Sequence, residues 1–213
     1  MTANSCSGAG SLSKAASSAA HAGKPLEECS LEELWQLFPI LIREYDPAYP
    51  LWFREQKESL LQIAGSGAAR ISHIGSTAVP GLLSKPTVDI LLETRPGAGW
   101  EPLSRALTAG GWLLMSRWES PAALVFNRGY TPSGFAGRVF HLHVRELGDW
   151  DELYFRDYLC AHPAASEEYG RLKLALSERF RNDRDGYTQA KTEFIRKHTA
   201  LARREFPGKY RPK

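Results

Sequence analysis

Residues 73–89 read HIGSTAVPGLLSKPTVD, and this stretch decides the fold. Arg70 to Ile74 has the character of a strand, Gly75-Ser76-Thr77 that of a turn, and Pro86 to Leu92 (PTVDILL) that of a buried strand. Gly75 lets the backbone turn and come close to a ligand, while the amides and hydroxyls of Ser76 and Thr77 can form an anion-binding nest. Gly-Ser turns are common, so the turn alone is a weak signal. Asp89 adds weight, because a carboxylate between Val88 and Ile90 in an apolar run is costly unless it is paired or binds a cation. Two readings stay open there: a metal ligand, or a salt bridge to Lys85 or an arginine.

Outward toward the C-terminus, a helix is expected over Glu101 to Ala109, with strands near Gly111 to Met115, Ala122 to Arg128 and Arg138 to Arg145. The last contains Phe140-His141-Leu142-His143-Val144, where alternation puts both imidazoles on one face. Such a pair can chelate a transition metal, act as acid or base, or donate to phosphate; a pair of hydrogen-bonded, half-buried histidines is the bland alternative. After Asp149, read as an N-cap with Glu152 three residues on, the chain turns helical, with breaks at His162-Pro163 and Asn182 to Gly186. Three helices are therefore expected to close the chain. In them Lys191 falls at i+4 from Tyr187, Lys173 lies between Tyr169 and Leu176, and Arg156 lies between Phe155 and Tyr158. Each alone reads as a snorkelling stem; together, opposite a phosphate-type turn, they suggest an anion-binding cleft.

Toward the N-terminus, Ser30 and Glu33 have capping-box spacing before Leu31, Leu34, Trp35, Phe38, Leu41 and Ile42 at helical intervals, and a second helix is expected from Tyr49 to Ala64. Sixteen of the first 24 residues are Ser, Ala or Gly, so 1–29 is read as a disordered tail, 30–206 as one domain and 207–213 as a basic tail. The fold expected is α+β: a mixed sheet with two N-terminal helices and a C-terminal three-helix bundle.

The chain has 213 residues, 43% of them apolar and 24% charged, enough for one domain with a real core. No apolar run approaches the eighteen or so residues of a membrane span. Cys6, Cys29 and Cys160 are far apart, which argues against a disulfide scaffold or a cysteine-built zinc site and for a reducing cytoplasm. The net charge of +3 hides an asymmetry: from Arg196 onward there are seven basic residues and one acidic, leaving −3 for the remainder.

The stretches HIGSTAVPGLLSKPTVDILLE, FHLHV, FRDYLCAHP, EYGRLKLAL and GYTQAKTEFI together resemble the GrpB family, over about Ser30 to Ala202. That family is similar to the nucleotidyltransferase superfamily of the DNA polymerase β type, and a related domain is fused to some bacterial dephospho-CoA kinases. The resemblance implies a Gly-Ser turn that holds a triphosphate and a strand presenting two carboxylates at i and i+2, joined by a third from another strand, around two Mg²⁺ ions. Gly75, Ser76 and Asp89 match this pattern. The second carboxylate position is Leu91, and Glu93 lies roughly 13 Å beyond Asp89 at a strand's rise. The donors left are Asp89, His141 and His143, a set suiting Mn²⁺, Fe²⁺ or Zn²⁺ better than Mg²⁺.

Three functions compete on this reading. One is an enzyme that binds a nucleoside triphosphate over Gly75, Ser76 and Thr77, with Lys85, Arg156, Lys173 and Lys191 on its phosphates, Asp89 on a divalent metal, and His141 or His143 as ligand or base. The second is a binding module of the same fold without turnover. Nucleic-acid binding through the basic C-terminus is the weakest, since the body is slightly acidic and the tail poor in aromatics.

Overall fold

The computed structural model describes residues 24–212. The expected tail over 1–29 therefore lies mostly outside the described residues, although Leu26–Glu28 forms a short 3-10 turn. Helix α1 (Leu31–Leu37) opens on the predicted capping box: Ser30 Oγ accepts from the Glu33 amide, and Glu33 reaches back to the Ser30 amide. It stops earlier than the apolar spacing through Ile42 suggests. Pro39 cannot donate to a helical carbonyl and forces Phe38 out of the α region, at φ −122° and ψ 64°. Helix α2 (Tyr49–Ala64) follows with the expected bounds.

Five strands then form one sheet: β1 (Ala68–Ile74), β2 (Thr87–Thr94), β3 (Leu113–Glu119), β4 (Ala122–Thr131) and β5 (Gly134–Glu146), with helix α3 (Trp100–Ala109) between β2 and β3. Their order is β1-β2-β5-β4-β3, antiparallel except for the central β2–β5 pair. The sheet is mixed, as predicted. Alternation gives it two unlike faces. Val88, Ile90 and Leu92 of β2, Phe140, Leu142 and Val144 of β5, and Leu124 and Phe126 of β4 pack on one side with Leu60, Leu107 and Trp112 into the main core. The other face presents Asp89, Leu91 and Glu93 on β2, and His141 and His143 on β5, with Asp89 directly beside His141 in register.

The C-terminal part covers that second face with helices α4 (Asp151–Ala161), α5 (Pro163–Arg179), α6 (Arg184–Ala190) and α7 (Thr192–Glu205). The third of the expected helical stretches is thus divided at Lys191. Asp149 is not the cap of α4, since Trp150 holds that position; its carboxylate instead receives Tyr154 Oη and Arg203 Nη1 at 2.5 and 2.9 Å. The basic terminus is not a loose tail up to residue 212. Tyr210 lies against Tyr154 and donates to Asp157, while Lys209 pairs with Asp157 at 2.6 Å. These pairings neutralise charge that the nucleic-acid reading needs. Among the described residues no helix is long and apolar enough to cross a membrane.

Candidate functional site

A cleft of about 520 Å³ lies between the polar face of the sheet and helices α4 to α7. Gly75, at the end of β1, forms its edge with φ +71°, and a Cβ there would overlap the carboxylate of Asp89. The glycine is therefore required twice, by its left-handed backbone and by the closeness of the acid.

Asp89 Oδ1 accepts from His141 Nδ1 at 3.1 Å, and His141 Nε2 faces the Tyr130 hydroxyl at 2.7 Å and Arg184 Nη2 at 3.5 Å. An ionised carboxylate can only accept, so the imidazole proton sits on Nδ1 and Tyr130 donates to Nε2. Burial lowers the His141 pKa against the pull of Asp89, and the ring is neutral near pH 7. Burial would raise Asp89, but the hydrogen bond from His141, the electrostatic pull of the His141 and His143 imidazoles and, last, the charge of Lys85 outweigh it and hold the carboxyl at about 2. The acid is ionised, with 27% of its side chain still exposed to the cleft. His143 also faces the cleft, is likewise lowered by burial, and makes no side-chain hydrogen bond among the described residues. The two histidines are thus unlike: both nitrogens of His141 are engaged, while those of His143 are available.

The cationic candidates separate in the same way. Lys85, Lys173 and Lys191 line the cleft, joined by Arg184 from the start of α6, which sequence reasoning missed. Lys173 is only 2% exposed; its ammonium donates to Ser76 Oγ at 2.8 Å and to the Leu83 carbonyl. Accepting that bond leaves the Ser76 hydroxyl proton free to donate to a ligand. Lys85 and Lys191 lie on the Tyr187 ring, at 5.9 and 4.1 Å from its centroid, without an ion pair among the described residues. Burial lowers all three ammonium groups, Lys85 to about 8, Lys191 to about 7 and Lys173 to about 6. Asp151 and Glu152 also line the cleft but pair with Arg203 and Arg145, at 2.5 and 2.8 Å.

Two predicted phosphate contacts are corrected. Arg156 is a brace: it donates to the His73 carbonyl, to Asp157 and to the Tyr210 hydroxyl, tying β1, α4 and the C-terminus together. Thr77 is buried and points inward, where it donates to the Thr87 carbonyl at 3.0 Å. Its single proton spent, it accepts from His73 Nε2, also at 3.0 Å. Tyr130 is the other missed member of the site. It follows Gly129 near a hairpin end, and such a position carries no sequence signal for a site.

The residues present do not fit the pair of magnesium ions that the superfamily resemblance implies. Leu91, where the second carboxylate belongs, is fully buried and packs with Ile74 and Leu153, anchoring α4 to the sheet. Glu93 is closed off by Arg70 and the Gly148 amide. His141 has no free nitrogen, and among the described residues no group of three His, Cys, Asp or Glu side chains is placed to hold a metal ion.

The sequence pattern of the family described as GrpB protein matches residues 39–201. The chain belongs to the GrpB family. A UPF0157 protein of Pseudomonas aeruginosa is 37% identical to this GrpB chain over 151 residues, covering 70% of the chain. A dephospho-CoA kinase of Mycolicibacterium paratuberculosis is 25% identical over 182 residues, covering 74% of the chain. The matched stretches span 62% and 44% of those relatives, less than two thirds of either length. The crystal structure of GrpB from Enterococcus faecalis superposes with a TM-score of 0.70 at 28% identity, covering 78% of this chain and 99% of that one. The mixed sheet of this GrpB protein is consistent with the nucleotidyltransferase-like superfamily.

Proposed function

We propose that the cleft binds the phosphates of a small phosphorylated ligand of the nucleoside triphosphate class. One observation carries the reading. Lys85, Lys173, Lys191 and Arg184 converge on one cleft in which, among the described residues, Asp89 is the single lining acid not matched by an arginine. Buried ammonium groups with lowered pKa values are held at a cost that an entering polyanion offsets, since its charge restores their protonation. Ser76 adds a hydroxyl donor at the turn. The kinship with dephospho-CoA kinases makes coenzyme A precursors a sensible part of the ligand panel.

Whether transfer accompanies binding is a separate matter, and Leu91 favours a binding module. Without a second carboxylate the arrangement loses a main source of transition-state charge stabilisation. For a transfer reaction, His143 is the better candidate for the base that takes a proton from an acceptor hydroxyl, because its nitrogens are available.

The test is a thermal-shift panel of nucleoside triphosphates and coenzyme A precursors, with and without Mg²⁺ or Mn²⁺, on the wild type, Lys191→Ala and Asp89→Ala. A ligand at about a hundred times its Kd adds roughly 2.7 kcal/mol, which raises Tm by several degrees. Stabilisation by a triphosphate, diminished in Lys191→Ala, is the result expected. A metal-dependent shift lost in Asp89→Ala would place the metal at that acid, and a flat panel would refute the reading.

A further inference from the structure

The polar row on the sheet does not end at His141. Register places Asn127 of β4 beside His141, and Leu113 of β3 beside Asn127, so Asp89, His141 and Asn127 stand in line across β2, β5 and β4. A second cavity, of about 310 Å³, opens over the β4–β3 end of this row. Its walls are largely apolar, with Leu31, Leu34, Trp35 and Phe38 from α1 and the residue after it and Leu113 and Leu114 from the edge strand, while Tyr130, Arg184 and Asp185 also line it. Asn127, also lining it, is 5% exposed, and its side chain makes no hydrogen bond among the described residues. Its amide atoms are not among the fully buried unpaired polar atoms of the described residues, so they reach the cavity and are open to a ligand there. Arg184 lines both this cavity and the lysine cleft, and Tyr130, bonded to His141, lies at the boundary between them.

From this we infer that the second cavity holds the ring of the same ligand, a planar nitrogen heterocycle whose edge offers a hydrogen-bond donor beside an acceptor. The inference rests on the phosphate-binding reading above. An asparagine amide carries both a donor and an acceptor, so a ring edge carrying the complementary pair satisfies both at once. Apolar and aromatic walls with a few polar groups among them are what an orienting pocket requires. Asp89 and Asn127 stand two strand spacings apart, roughly 10 Å. One nucleotide-sized molecule can therefore place its phosphates among the lysines and its ring on Asn127, with Arg184 between.

The test uses the full chain and isothermal titration with two probes, ATP and inorganic triphosphate, repeated with GTP, CTP and UTP. At least one nucleotide is expected to bind more tightly than triphosphate. Asn127→Leu, close in size, is expected to weaken that nucleotide about tenfold while leaving triphosphate unchanged. Trp35→Ala, on the half-exposed helix face, gives the same split without touching the sheet and so guards against a folding defect in the first variant. Lys191→Ala is expected to weaken both probes alike. If Asn127→Leu and Trp35→Ala both leave nucleotide affinity intact while Lys191→Ala lowers it, the ring does not lie here and the inference is overturned, although phosphate binding stands. If no nucleotide surpasses triphosphate, the inference is likewise overturned. If neither probe binds the wild type, the phosphate-binding reading fails and takes this one with it.

Discussion

Asp89 and Glu93 occupy the same strand and the same face, one at each end of β2, yet their surroundings differ in kind. Glu93 is fully buried, and its oxygens accept from Arg70, with Nη2 at 2.6 Å, and from the Gly148 amide at 3.1 Å. Arg70 also donates to the Gly148 carbonyl at 2.7 Å, so the group is closed and has no use for a ligand. Asp89 accepts from one imidazole and otherwise faces an open cleft lined by cations. A carboxylate whose partners are complete holds elements together; one whose partners are incomplete in a cationic cleft is available for chemistry. The distinction lies in what surrounds each acid, since both are acids on one buried strand.

The largest effect should come from the closed end. Glu93→Gln leaves the Arg70 guanidinium without its counter-charge and should cost about 3 kcal/mol, the range for breaking a buried pair by removing one partner. For a chain of this size that lowers Tm by roughly 6–12 °C in calorimetry. Asp89→Asn should move Tm by less than half as much, yet abolish whatever metal-dependent binding the cleft has. Equal losses from both substitutions would erase the comparison. Next in size is Gly75→Ala, where a left-handed φ of +71° and overlap with Asp89 act together. We expect about 2 kcal/mol, read as a lower urea midpoint at unchanged m-value.

How much of this the sequence contains depends on the kind of contact. The strand-turn-strand around Gly75, Asp89 within the buried strand, the shared face of His141 and His143 and the capping box at Ser30 follow from local spacing, which the structure preserves. Leu91 as a missing carboxylate is also legible, because the strand period fixes which residue follows Asp89 on that face. Arg184 and Tyr130 are not, since they sit beside turns and reach the site only through the packing of distant elements. Asn127 is equally silent, a polar residue whose neighbours are set by the pairing of β4 with β5. Arg156 shows the reverse error: helical position placed it beside an apolar face, but only the fold reveals that Asp157 and Tyr210 engage it.

The open end should also respond to pH in a way the closed end does not. In the folded chain Lys173, Lys191 and Lys85 have pKa values of about 6, 7 and 8, below the ordinary 10.5. Between about pH 6 and 10 the unfolded chain therefore binds more protons than the folded one, and the stability of the free protein rises with pH from these groups. Asp89 has the opposite kind of shift, depressed from 3.8 to about 2. Its contribution is present above pH 4 and is lost as pH falls toward 2. Polyphosphate binding should run against the lysine trend, because it favours the protonated amines. Affinity for inorganic triphosphate should fall several-fold from pH 6 to pH 9, with proton uptake detected by titrating in buffers of different ionisation enthalpy. A pH-independent affinity would show that the lysines do not bind the phosphates.

The smallest effect is expected at Thr199, on α7, a residue that lines the cleft and is 6% exposed, with a buried hydroxyl that has no hydrogen-bond partner among the described residues. In a closed site such a hydroxyl would be tied, and its loss would cost stability. Here Thr199→Val removes an unpartnered polar atom while keeping the shape, so the free protein should change by less than about 1 kcal/mol, toward greater stability. A destabilised free protein, measured by urea unfolding, would mean that the hydroxyl is satisfied internally and that this end of the cleft resembles Glu93 more than Asp89.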